Sequence, residues 1–103
     1  MFGMPENIID LVWDKALYVS PEAELRGFRK DECGAWIQRQ AYGDRNSAYG
    51  WEIDHITPVS NGGSDNISNL RPLHWRNNVA KKNGRLVCAV TSVGAQNVYT
   101  NNW

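Results

Sequence analysis

An α+β domain is predicted by three features: an amphipathic helical stripe near the N-terminus, several short β-branched or alternating segments bounded by Gly and Pro, and a later helical stretch followed by Gly84. The chain has 103 residues, 42% of them hydrophobic, with five Trp, four Tyr and two Phe, which suffices for one small core. Residues 1–103 are therefore read as a single domain.

Pro5 to Leu17 is expected to be helical. Pro5 suits a first turn, Glu6 favours the positive end, and Ile8, Ile9, Val12, Ala16 and Leu17 form one stripe. Ser20-Pro21 and Gly27 break that pattern, so residues 18–32 are read as a loop with one helical turn. Residues 34–40 alternate around Trp36 and Ile37, then meet the turn-rich stretch 42–47, which suggests a hairpin joining 34–40 to 50–56. Within that second strand Asp54 and His55 are adjacent and should point apart unless the strand ends there; Pro58 and Gly62-Gly63 supply an ending. A short strand follows near Leu70–Leu73, then a helix from His74 or Trp75 to Asn83 with Gly84 as its cap. Leu86 to Val93 reads as a strand, turned back by residues 94–97 towards Val98-Tyr99-Thr100.

Eleven basic and eleven acidic residues balance, so the chain lacks the basic surplus common in nucleic-acid binders. Their distribution is uneven. Arg71, Arg76, Lys81, Lys82 and Arg85 stand together with no acid between residues 71 and 85, a local face suited to phosphate at modest, salt-dependent affinity. Cys33 and Cys88 show no CxxC spacing and are read as two reduced, buried thiols. Met1 to Glu6 has no basic start leading into an apolar stretch, and no apolar run reaches membrane-spanning length, so a cytoplasmic, membrane-free protein is expected.

Residues 51–82 concentrate the chemistry. Hydrolysis of a phosphodiester needs an activated water, stabilisation of the charged transition state and a stabilised leaving alkoxide; one imidazole and one divalent cation can provide these. Imidazole accepts protons near neutral pH, which makes His55 the candidate base. Asp54 and Asn78 offer hard oxygen ligands suited to Mg²⁺ or Mn²⁺. Singly, each has a structural explanation; the constellation is more specific than its parts. His74 lies four residues before Asn78 and is an extra candidate ligand, while Arg71, Arg76, Lys81 and Lys82 are candidates for nucleic-acid phosphate.

The order Asp54-His55, Gly62-Gly63-Ser64-Asp65, Asn69-Leu70 and Asn78, with fourteen residues from His55 to Asn69 and nine from Asn69 to Asn78, resembles the HNH endonucleases. The spacing is similar to the HNH domain of RNA-guided nucleases. The resemblance implies a ββα-metal (His-Me finger) core over residues 50–84, with an N-terminal helix and flanking strands around it. It also implies His55 as base, Asp54 and Asn78 as metal ligands, Asn69 pinning the loop through backbone hydrogen bonds, and Lys81 as a phosphate contact. Many relatives carry a structural zinc on two CxxC pairs; here the downstream positions are His74 and Asn77, so the zinc ribbon is absent and stability is expected from an aromatic core including Trp36, Trp51 and Trp75. Residues 29–56, with Arg29-Lys30-Asp31, Tyr42-Gly43 and Tyr49-Gly50-Trp51-Glu52, resemble a zinc-free bacterial and phage subgroup.

The expected activity is metal-dependent cleavage of nucleic acid, DNA rather than RNA on the family's habit, with Mg²⁺ or Mn²⁺ as cofactor and Zn²⁺ or Ni²⁺ able to occupy the site in vitro. A small neutral domain of this kind is expected to nick weakly alone, to form a homodimer or to act with a targeting partner. Two rivals stand beside it: a non-catalytic nucleic-acid-binding module on the same scaffold, and a structural zinc protein using His55 and His74 with Cys33 or Cys88.

Overall fold

The computed structural model describes residues 6–82 and 84–100. Among them, three α-helices and six strands give the mixed architecture the sequence predicts, the strands pairing as three separate antiparallel two-stranded sheets. No described helix is long and apolar enough to cross a membrane. The reading of Met1 to Pro5, including Pro5 as a first-turn residue, lies outside the described residues.

Helix α1 runs from Glu6 to Trp13. Val12, Trp13 and Ala16 are buried, with Ile8 and Ile9 packed beside them. The helix ends earlier than the stripe suggests because its last amides shorten their reach: Lys15 N–H donates to the Val12 carbonyl and Ala16 N–H to that of Trp13. Leu17 consequently leaves the core and exchanges two backbone hydrogen bonds with Lys30.

The segment read as a loop holds more order than its breakers imply. Ser20 caps helix α2 (Pro21–Leu25), its hydroxyl accepting from Ala23 N–H at 3.1 Å, and Pro21 occupies the first turn. Strand β1 (Phe28–Lys30) follows and pairs with β2 (Trp36–Gln38). The predicted hairpin between 34–40 and 50–56 is therefore corrected. β1 takes the edge of β2, β2 gives way to a 3₁₀ turn at Arg39, and a Gln38–Tyr49 backbone bond and an isolated Tyr42–Trp51 bridge link it onward in place of a ladder.

Strand β3 (Trp51–His55) pairs instead with β4 (Leu70–His74), in register from Trp51 opposite His74 to His55 opposite Leu70. Alternation sends Trp51 and Ile53 towards α1, where Trp13 and Trp51 rings meet at 5.2 Å, and sends Glu52 and Asp54 towards the helix that follows β4. That helix, α3, spans Trp75–Ala80. It stops short of the predicted end because Lys81 already has an extended ψ of 142°, and Gly84 turns the chain inside a Lys82–Arg85 bridge rather than capping the helix. The predicted last helical residue, Asn83, lies outside the described residues. The final hairpin forms as β5 (Val90–Val93) and β6 (Gln96–Tyr99), turning through Gly94-Ala95; residues 86–89, expected to begin the strand, stay irregular. Of the three Trp expected to stabilise the core, Trp51 is fully buried while Trp36 and Trp75 are half-buried.

The two cysteines are not the reduced, buried thiols expected. Cys33 and Cys88 form a disulfide, with Cα atoms 5.4 Å apart across 55 positions of sequence, and Cys88 is exposed. Their approach was hidden because it depends on a non-local clasp. Asp31 Oδ1 accepts from Cys33 and Ala35 N–H, and its Oδ2 accepts from His74 N–H and the Asn77 amide. Asn77 also bonds both backbone groups of Val90. The clasp ties the turn after β1 to α3 and to β5, and so brings the two sulfurs together.

Candidate active site

The site lies at the open end of the β3–β4 hairpin. His55 is the last residue of β3, and its Nε2 lies 2.7 Å from Asp65 Oδ1. An ionised carboxylate only accepts, so Nε2 carries the hydrogen of this bond, and in the neutral ring Nδ1 is then the nitrogen with the lone pair. The loop that presents Asp65 is fixed from within. Asn69 Oδ1 accepts from Thr57 N–H, while its amide donates to the Thr57 and Ser64 carbonyls at 3.0 and 2.8 Å. Gly62 adopts a φ of +86°, and a Cβ on Gly63 would lie 1.7 Å from the Thr57 carbonyl oxygen, so this loop closes only with both glycines.

Asp54, one residue before His55, points to the opposite face and is only 4% exposed. Its Oδ2 pairs with Arg71 Nε at 2.7 Å, and its Oδ1 accepts from the Lys81 ammonium, which also donates to the His55 carbonyl at 3.2 Å. Arg71 reaches on to Glu32 at 3.1 Å. Both carboxylate oxygens of Asp54 thus face a cationic side chain.

Asn78, on α3, donates from Nδ2 to Glu52 Oε1 at 2.9 Å. Glu52 is also gripped by Arg45, at 2.6 and 3.0 Å. Burial raises the Glu52 pKa, but the hydrogen bonds from Arg45 and Asn78 outweigh it and hold the carboxyl below its ordinary range. With the amide nitrogen committed to Glu52, the Asn78 oxygen is the atom left for a cation or substrate.

The remaining candidates separate. His74 is fully buried; its Nε2 donates to the Ala48 carbonyl at 2.8 Å and its Nδ1 accepts from Arg76 N–H at 3.1 Å, capping α3. Burial lowers its pKa, against an opposing pull from the Ala48 hydrogen bond, and neither ring nitrogen is left to hold a metal. Arg71 is buried between two carboxylates and does not present a free guanidinium to phosphate. Arg76 stacks over Trp75 and Tyr99, at 4.5 and 5.2 Å from their ring centres. Lys82 is exposed. The structural-zinc rival loses its ligands: both sulfurs are in the disulfide and His74 is engaged, and among the described residues no three His, Cys, Asp or Glu converge as a metal cluster.

The sequence alone assigns no role to Asp65, Glu32 or Lys15. Lys15, from just beyond α1, donates to the Ile67 carbonyl at 2.7 Å and to the Leu70 carbonyl, bracing the end of the site loop. Asp65 alone carried a usable signal, as the acid closing the Gly62-Gly63-Ser64-Asp65 turn ten residues after His55. A family model described as HNH endonuclease matches residues 32–84, a span that includes β2, β3, the site loop, β4 and α3. No curated protein and no solved structure gives a significant match.

Proposed function

The chain belongs to the HNH endonuclease family, and on that footing we propose that it hydrolyses phosphodiester bonds in nucleic acid, DNA in preference to RNA, using His55 as general base. The observation that carries the reading is the pairing of His55 Nε2 with Asp65 at the end of β3, beside the acid Asp54. Asp65 holds the ring so that Nδ1 can take a proton from the attacking water, and Asn69 holds the loop that carries Asp65. Two antiparallel strands followed directly by a helix, with acid and base at the strand end, support reading these residues as a ββα-metal centre.

Asp54 and the Asn78 oxygen are the groups that would hold a divalent cation such as Mg²⁺ or Mn²⁺. Their fit is supported by the donor set, a carboxylate and a carboxamide oxygen, and by the Lys81 ammonium, a stand-in cation on Asp54 Oδ1. When bound, the ion would stabilise charge on the scissile phosphate and leaving oxygen. Glu52 orients the Asn78 amide, with Arg45 steadying Glu52. Lys82 and Arg76 flank the site as phosphate contacts, giving binding that weakens as salt rises.

The decisive experiment is nicking of supercoiled plasmid in Mg²⁺, Mn²⁺ or EDTA. Nicking should require the divalent ion and be lost in His55→Ala and Asn78→Ala; persistence in His55→Ala would overturn the assignment of the base. The second reading, a non-catalytic binding module, draws on one observation: Asp54 is already charge-compensated by Arg71 and Lys81. Plasmid binding without metal-dependent cleavage would favour it.

A further inference from the structure

We propose that Lys81 is a displaceable counter-ion, its ammonium standing in the cation position at Asp54 until a divalent ion takes that place and releases it towards a substrate phosphate. The inference rests on the nuclease reading above and adds a role for one residue within it.

Two cations serve the Asp54 carboxylate, and they are held differently. Arg71 is fastened at both ends of its planar fork, to Asp54 and to Glu32, and comes from within β4. Its removal would expose a buried charge and disturb the strand pair. Lys81 comes from the residue where α3 has already ended, on a flexible four-carbon stem, and among the described residues its Nζ touches two oxygens, Asp54 Oδ1 and the His55 carbonyl. Those are oxygens on consecutive residues, one anionic and one neutral, arranged around a single compact positive centre. The same arrangement suits a hard divalent cation.

An ammonium and a divalent ion cannot share one carboxylate oxygen, because like charges at contact repel strongly in a partly buried site. Arrival of the ion therefore expels the ammonium, whereas Arg71 stays on Oδ2. The displaced side chain is left at the mouth of the site, where phosphate is the nearest anion that a substrate brings. Lys81 would thus compete with the metal in the free protein and assist phosphate binding once the metal is present. Removing its charge should consequently improve one function and harm the other.

Mn²⁺ binding to the whole chain without nucleic acid, measured by titration calorimetry, tests this directly. Lys81→Met and Lys81→Gln should bind Mn²⁺ about tenfold more tightly than wild type, and Lys82→Met should match wild type, while both Lys81 variants lose about tenfold in kcat/KM for nicking. In the unmutated protein, amine acetylation of Lys81 followed by mass spectrometry should rise severalfold on adding Mn²⁺ at constant ionic strength, a readout that does not depend on any variant folding. Equal or weaker Mn²⁺ binding in folded Lys81 variants, or labelling that ignores Mn²⁺, overturns the proposal and leaves the nuclease reading standing. Absence of any Mn²⁺ binding sensitive to Asp54→Asn removes the nuclease reading and this inference together.

Discussion

Asp31 and Asp54 are equally buried, at 4% exposure each, yet they are satisfied by different kinds of partner. Asp31 accepts from three backbone amides and the Asn77 side chain, donors whose positions are set by turns, strand ends and a helix. Among the described residues, the Asp54 carboxylate hydrogen-bonds the tips of Arg71 and Lys81 and no backbone amide. Donors built into the backbone cannot leave without local unfolding, whereas a lysine tip can leave by rotating its stem. The first arrangement makes a permanent joint. The second makes a carboxylate whose partner can be exchanged, which is what a site needs when its charge is to be handed to an incoming ion.

The widest separation between the two clusters should appear in paired substitutions. His55→Ala is expected to reduce nicking by at least about a hundredfold while leaving the thermal midpoint close to wild type, because the one hydrogen bond its ring makes among the described residues is to an exposed acid. Asp31→Ala should do the reverse, costing about 3–5 kcal/mol of folding stability in denaturant titrations, since four donors lose their acceptor in a buried place. A strong activity loss in Asp31→Ala at a temperature where it remains folded would erase the distinction.

Next in size is the disulfide. Breaking a link that spans 55 positions should destabilise the fold by about 2–4 kcal/mol, measured on the Cys33→Ser, Cys88→Ser double variant. The loss should fall on the clasp, where β5 meets α3, and leave metal-dependent nicking in the surviving folded fraction intact. A smaller effect is expected from Asp65→Ala, about tenfold in kcat with unaltered Mn²⁺ affinity, because it frees the ring of His55 without touching Asp54. If Mn²⁺ affinity also fell, Asp65 would belong to the cation site rather than to the base.

The same contrast explains what could be read before the fold was known. The spacing of Asp54, His55, Asn69 and Asn78 is local, spanning one hairpin and one short helix, and sequence order suffices to bring those residues to a shared neighbourhood. α1 was legible because its stripe repeats at helical spacing. What failed was pairing across distance. β2 gave no sign that it would choose β1 over β3, since both candidates are short and partly buried. Asp31 meets Asn77 across 46 positions, and nothing in the composition of either segment announces it. The disulfide was misread for the same cause, as it follows from that clasp. His74 was weighed as a ligand because its spacing to Asn78 is helical, but the residue precedes α3 and spends its ring on the cap.

His74 also supplies the gentlest way to separate the regions, through pH. Its pKa in the folded protein lies below the ordinary histidine value, chiefly because the ring is buried. Below the unfolded pKa, near 6.5, the unfolded chain therefore binds the proton more readily than the folded one. The stability His74 contributes is fully present above that value and is lost as pH falls towards the folded pKa. Denaturant midpoints should fall between pH 7.5 and 5.5, and His74→Gln should flatten that slope at the cost of some stability throughout. Glu52, whose pKa is also depressed, adds a second loss only at lower pH, as carboxylates near 4.5 begin to protonate. Because His74 donates its backbone amide to Asp31, acid should loosen the clasp first, and hydrogen exchange should rise at Asn77 and Val90 before it rises at Asp54. The opposite order would make the active-site corner, and not the clasp, the part of the fold that acid opens.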